Sequence, residues 1–337
     1  MNPQARLTAH GSRLKPWALS LFALLIFLAA PRLAAAQDTY LLLVTGVSGE
    51  DTLAAQYQKW GASIVDGAKK RGVAAANITY LAEAVDKDPA RIKGRSTKEG
   101  VTQAIDDIAK RAKPGDEVFI LLIGHGTFDN SVGSFNLPGP DLNANDFKSL
   151  LERLLPQRVA FVNTTSSSGA FLEPLKGPQR VIVTATRTGG ERLDTKFPGF
   201  FVEALDTDAA DSDKNGRISI GEAFEYAKNK VTASYEQGGN ILTEHAMLED
   251  GAQGKLASSV FLAPQRTRDA ATTAAAAADP QLKALLDQQD ALERQVSELR
   301  LKKDQMDPAQ YDAQLEKLLT DLALKTREIR ARQGQKN

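Results

Sequence analysis

No cysteine occurs anywhere in the 337 residues. That absence excludes a disulfide framework, a lipid-bearing thiol and any thiolate acting as nucleophile or metal ligand. Histidine is nearly as scarce, with three in the chain. His10 lies in the N-terminal segment, which leaves His125 and His245, a poor basis for a zinc centre without thiolates. Net charge is missing too: 42 basic residues balance 42 acidic ones. No overall field therefore draws the chain to nucleic acid or to an anionic membrane. Extended apolar sequence is confined to Trp17–Ala30, which is short for a bilayer-crossing helix.

What surrounds that run gives it a meaning. Arg6, Arg13 and Lys15 precede it, and the small residues Ala34 and Ala36 follow in "PRLAAAQ". Basic flank, apolar core and small residues together describe a secretory signal peptide over residues 1–36, with cleavage expected before Gln37. The product would be periplasmic or secreted and would keep no stable membrane span. An uncleaved anchor helix is the alternative.

From Gln37 onward, apolar runs alternate with amphipathic stretches. "TYLLLVTG", "NITYL", "EVFILLIG", "RVAFVN" and "RVIVTAT" have the composition of buried strands. Between them, residues 51–71 place Leu53, Tyr57, Trp60 and Ile64 on one helical face. Ser96 and Glu99 form the capping-box pattern for a helix carrying Val101, Ile105 and Ile108 inward. "ANDFKSLLERLL" predicts a further helix, stopped by Pro156. Strand–helix alternation with near-continuous apolar strands predicts an α/β domain over 37–265, a mainly parallel sheet flanked by helices. Residues 266–280 form an alanine-rich linker. Within 281–333, Leu282, Leu285, Gln289, Leu292, Val296 and Leu299 recur at spacings of three and four. After Pro308, so do Tyr311, Leu315, Leu318, Leu322 and Ile329. The expectation is an α-helical coiled-coil hairpin that offers a surface for self-association, or else two helices packed on the main domain or on another chain.

Ligands of an open parallel sheet bind at the carboxyl ends of its strands. Two of those ends carry chemistry. "GHGTFDN" sets His125 between glycines, where the backbone turns sharply and amides point into the crevice. "NTTSSSG" crowds hydroxyls from Thr164 to Ser168, none of them in a Gly-x-Ser-x-Gly frame. One reading makes His125 a general base beside an oxyanion-stabilising Gly126 N–H; the other makes it a loop histidine at a strand end. The "GVSG" loop lacks the spacing of a dinucleotide fingerprint or a P-loop, and is better explained as a strand-to-helix turn.

Taken together, "FILLIGHG", "AFVNTTSSSGAF", "VIVTATRTGGE" and "FPGFFVEAL" resemble the caspase-like and legumain-like (hemoglobinase) cysteine peptidases, over roughly Thr39–Pro264. The resemblance implies that family's sheet, with His125 as the catalytic histidine and Gly126 as the oxyanion-hole glycine. The position of the catalytic cysteine falls on Thr165 if Asn163 matches the family's acidic residue, or on Ser166 if Ser168–Gly169 matches its Ser-Gly. The helix after the first strand also lacks the Arg and His of legumain-type members. A hydroxyl in place of a thiol requires a base held by a third group, and Asp129 is the acid considered for that role. The resulting expectation is an exported pseudo-peptidase that binds a peptide or protein ligand. One alternative is an active Ser- or Thr-dependent hydrolase using His125, and another is an interaction module acting through the hairpin.

A separate motif lies at 211–222, "DSDKNGRISIGE". Asp211, Asp213 and Asn215 stand at the first, third and fifth positions of an EF-hand-type loop. Gly216 makes the turn, Arg217 offers its carbonyl, Ser219 stands at the ninth position and Glu222 closes the set. The expected ion is Ca2+; the plainer alternative is an acidic loop capping the next helix. Glu244 and His245 are expected to pack beside this loop without acting as ligands.

Overall fold

The computed structural model describes residues 37–212, 217–251, 255–262, 275–276, 278–301 and 306–334. The signal-peptide expectation, most of the linker, and Asp213, Asn215 and Gly216 lie outside them. Along the chain the elements are β1 (Thr39–Thr45), α1 (Asp51–Lys70), β2 (Ile78–Ala82), β3 (Ile92–Arg95), α2 (Lys98–Arg111) and β4 (Glu117–Ile123). A small antiparallel sheet follows, β5 (Gly126–Phe128), β6 (Gly133–Phe135) and β7 (Leu142–Asn143), leading into α3 (Ala144–Leu151). Then come β8 (Arg158–Asn163), α4 (Leu172–Leu175), β9 (Arg180–Thr184), α5 (Phe197–Asp206), α6 (Ile220–Gln237) and β10 (Met247–Glu249). Two long helices close the described chain, α7 (Pro280–Leu301) and α8 (Pro308–Gly334).

The main sheet runs β10-β9-β8-β4-β1-β2-β3. It is parallel throughout except for β10, which pairs antiparallel to β9. Side chains alternate between its faces, and each face has its own core. Leu41, Leu43, Phe119 and Val162 pack with Tyr57 and Ile64 of α1, Phe197 and Phe201 of α5, and Phe224 of α6. On the other face, Leu42, Val44, Ile120 and Phe161 pack with Val101 and Ile105 of α2 and Phe147 of α3. Every residue of β1 and β4 is buried, which explains the unbroken apolar sequence between their end residues. Among the described residues no helix is long and apolar enough to cross a membrane.

Local departures from expectation have local causes. The cap of α2 is Thr97, whose Oγ1 accepts the Gly100 N–H at 3.1 Å. Ser96 is fully buried one residue earlier, and its Oγ has no hydrogen-bond partner. In the hairpin, α7 and α8 pack against each other: Leu282 and Leu286 are buried with Ile329. Gln289 Nε2 donates to Thr326 Oγ1 at 3.0 Å. Arg332 pairs with Asp279 at 2.9 Å. Leu286 is buried beside Leu282, and the expected Leu285 is half-buried against the same cluster.

Candidate functional site

β4 and β8 are adjacent and parallel, with Leu122 opposite Asn163. Thr164 extends the ladder, donating from N and Oγ1 to the Leu122 carbonyl at 3.1 and 2.8 Å. The histidine loop and the hydroxyl run therefore leave the same rim side by side. Their contact is close: a Cβ on Gly126 would fall on the Ser166 carbonyl oxygen and on Thr165 Oγ1. Only glycine fits there.

His125 nevertheless faces away from the hydroxyls. Its Nε2 lies 3.2 Å from the Ser48 carbonyl oxygen in the β1–α1 loop and 3.5 Å from Tyr57 Oη. Its Nδ1 lies 3.2 Å from Asp194 Oδ1. Both Ser48 O and the Asp194 carboxylate accept, so each ring nitrogen faces an acceptor. Among the described residues no hydrogen bond joins the ring to Thr164–Ser168. Burial pushes the Tyr57 phenol up to about 12, and Asp194 adds to the shift.

The acid beside His125 is thus Asp194, not Asp129. Asp129 Oδ1 accepts the N–H groups of Ser131 and Val132 at 2.8 and 2.7 Å in the β5–β6 turn. Those bonds hold its carboxyl below the usual range. Asp194 sits in the exposed loop before α5, where neither periodicity nor motif marks it.

The hydroxyls of the run, Ser167 apart, are each engaged, and all five residues are at most 4% exposed. Thr165 binds Asn163 Oδ1 through both N and Oγ1, at 3.1 and 2.8 Å. Ser166 Oγ accepts from Gly126 N at 3.3 Å and donates to Gly126 O at 3.0 Å. Ser167 turns the chain at φ 57°, and its buried Oγ has no partner. Ser168 Oγ accepts the N–H groups of Ala185 and Thr186 at 3.0 and 3.1 Å, and Gly169 N donates to Thr186 Oγ1 at 2.8 Å. Ser168 and Gly169 therefore clamp the run to the end of β9.

Glu244 and His245 lie elsewhere than expected. Glu244 takes the N–H groups of Lys196 and Phe197 at 2.7 and 3.1 Å, placing a carboxylate at the N-terminus of α5. Burial pushes that carboxyl up. His245 Nδ1 meets Glu191 Oε1 at 2.9 Å. Both follow the C-terminal end of α6, whereas the 211–222 loop precedes its N-terminus. A helix of 18 residues, roughly 27 Å long, separates the two.

In that loop, Ser219 caps α6 in a reciprocal box with Glu222: Glu222 N donates to Ser219 Oγ at 3.2 Å, and Ser219 N donates to Glu222 Oε2 at 2.9 Å. Glu222 Oε1 accepts from Ser212 N and Oγ at 3.0 and 2.9 Å, which draws the loop's last position to its first turn. Asp211 is buried, and the Arg217 guanidinium stacks on Phe261 at 3.7 Å. Ser219 bridges to Phe261, and Ile220 N donates to the Val260 carbonyl at 2.9 Å. Glu222 thus ties Ser212, at the start of the loop, to Ser219 at the N-terminus of α6. Among the described residues alone, no group of three or more His, Cys, Asp or Glu is placed to hold a metal.

Residues 44–255 match the peptidase C13 family. Two similar solved structures are a protein from Geobacter sulfurreducens and the Drosophila initiator caspase Dronc. The first is 13% identical, covering 63% of this chain and 92% of its own at a TM-score of 0.39. The second is 10% identical, covering 63% and 79% at a TM-score of 0.38. No curated protein matches the chain.

Proposed function

The chain belongs to the peptidase C13 family, and from that premise we propose that it is an exported pseudo-peptidase. In this reading the crevice binds a peptide or protein, the 211–222 loop binds Ca2+, and the α7–α8 hairpin contributes a self-association surface. One observation carries the loss of hydrolysis: both His125 nitrogens are turned to Ser48 O and Asp194, while Thr165 and Ser166 are tied to Asn163 and Gly126. An alcohol attacks only when a base within hydrogen-bond reach takes its proton. Ser166 also occupies the Gly126 N–H, the donor that would stabilise an oxyanion. One feature favours the hydrolase reading, the left-handed turn at Ser167 with its unpartnered Oγ.

Fluorophosphonate treatment followed by digestion and mass spectrometry separates the two. No adduct is expected on any hydroxyl from Thr164 to Ser168; stoichiometric labelling of Thr165, Ser166 or Ser167 would establish the hydrolase instead.

For the ion, Asp211, Asp213, Asn215, the Arg217 carbonyl, Ser219 and Glu222 are the ligand set, and their hard oxygens suit calcium. At a free concentration ten times Kd, calcium is expected to raise the thermal midpoint by about 3–6 °C. Magnesium should do less, and Asp213→Ala should abolish the response. A midpoint indifferent to millimolar calcium rejects the ion's role.

A further inference from the structure

A cavity of about 320 Å³ opens at the carboxyl ends of β1 and β2, with Ile92 at the start of β3, against the first turns of α1. It adjoins the His125 crevice, because Ser48 and Tyr57 line it and both also contact His125 Nε2. Alanines 54, 55, 82 and 84 keep its walls thin, so the space suits one long side chain and not a bulky cofactor.

Its polar groups are incompletely satisfied. Tyr57 and Tyr80 line it and are 7% and 1% exposed, yet their hydroxyls have partners only at 3.5 Å, the far limit of a hydrogen bond. Buried phenols normally find closer ones. Glu83 fixes the loop through Oε2, which accepts from Ser48 N and Oγ at 3.1 Å each; among the described residues no hydrogen bond uses its Oε1. Asp51 stands at the mouth, with Lys87 as the one cation in the lining. Among the described residues none of these three charges is ion-paired, and the sum is negative.

The geometry points to a pocket for a basic side chain, arginine or lysine, of a peptide laid along the rim past His125. This rests on the peptide-binding reading above. A guanidinium or ammonium entering here would meet the free oxygen of Glu83 and the Asp51 carboxylate, between two phenol rings. An acidic side chain would meet Glu83 first and be repelled.

The test uses the 15N-labelled full-length protein with N-acetyl-arginine methylamide and its uncharged isostere N-acetyl-citrulline methylamide, then an arginine octapeptide and its citrulline twin. The arginine compounds are expected to shift the amide resonances of Gly46, Ser48, Ala55 and Ala84. The citrulline compounds should bind about ten-fold more weakly or worse. Glu83→Gln should weaken arginine binding about ten-fold and leave citrulline binding unchanged. Asp51→Asn, at an exposed helix start that tolerates the change, should weaken it about three-fold. Equal binding of arginine and citrulline, shifts away from the cavity, or no shift at millimolar ligand overturns the pocket. An octapeptide that moves Gly126 and Ser166 without preferring arginine rejects the pocket and keeps peptide binding. A derivative seated in the cavity, with an octapeptide that moves neither residue, keeps the pocket and rejects the longer crevice.

Discussion

Ser168→Ala is expected to remove about 1–3 kcal/mol of folding stability, although it deletes a single oxygen. That oxygen accepts the N–H groups of Ala185 and Thr186 in a fully buried position. Alanine leaves the Thr186 N–H without a partner, while the Ala185 N–H keeps its bond to the Asn163 carbonyl at 3.1 Å; one unsatisfied buried donor costs about 1–3 kcal/mol. Denaturant titration should show a lower midpoint with an unchanged slope. Ser166→Ala is the control, since it leaves the β9 clamp intact. A loss below about 0.5 kcal/mol for Ser168→Ala would mean that water or a shift of the turn replaces the hydroxyl, and the clamp would be wrong.

The second large effect is one of pH. Glu117 opens β4 almost wholly buried, and burial pushes its carboxyl up from 4.5 to about 7, against the pull of Arg158 and Arg217. Arg158 is 3.9 Å away, too far to offset the burial fully. Between those two values the folded chain holds a proton that the unfolded chain has released. The stability contributed by this group is therefore complete below about 4.5, falls as pH rises, and is level again above about 7. The full amplitude is on the order of 3 kcal/mol. Glu117→Gln should remove that slope and leave the protein more stable than the parent at pH 8. Urea midpoints of the pair from pH 4.5 to 8 measure the difference directly. A difference that grows in the parent's favour with rising pH would reverse the sign and refute the burial argument.

The central sheet was legible because its strands are buried on both faces. Between their end residues β1, β4, β8 and β9 are unbroken apolar runs, so their sequences stand out. The shared rim followed, since parallel strands deliver their loops to one edge. β3 escaped notice for the opposite reason: "IKGR" is short and half polar, as an edge strand can be. The β5–β7 sheet is held by pairs of two or three residues, below any periodic signal.

At the site, residue types were readable and orientations were not. His125 and Gly126 stand where a strand end must put them. Which way the imidazole turns depends on Ser48 and Asp194, brought in by loops from other strands. The resemblance drew attention to Ser168–Gly169 as part of a nucleophile motif, yet their work here is to join two strand ends. A motif records which residues must be present; it does not say whether they serve chemistry or merely hold its platform.

The Val260–Phe261 segment gives the 211–222 loop the strand neighbour that a second loop of the same kind would otherwise supply. If the loop takes up a cation as proposed, no second loop of its kind among the described residues would ease its filling, and occupancy would climb as a plain hyperbola with concentration. Such a centre would respond gradually to supply, not as a threshold trigger.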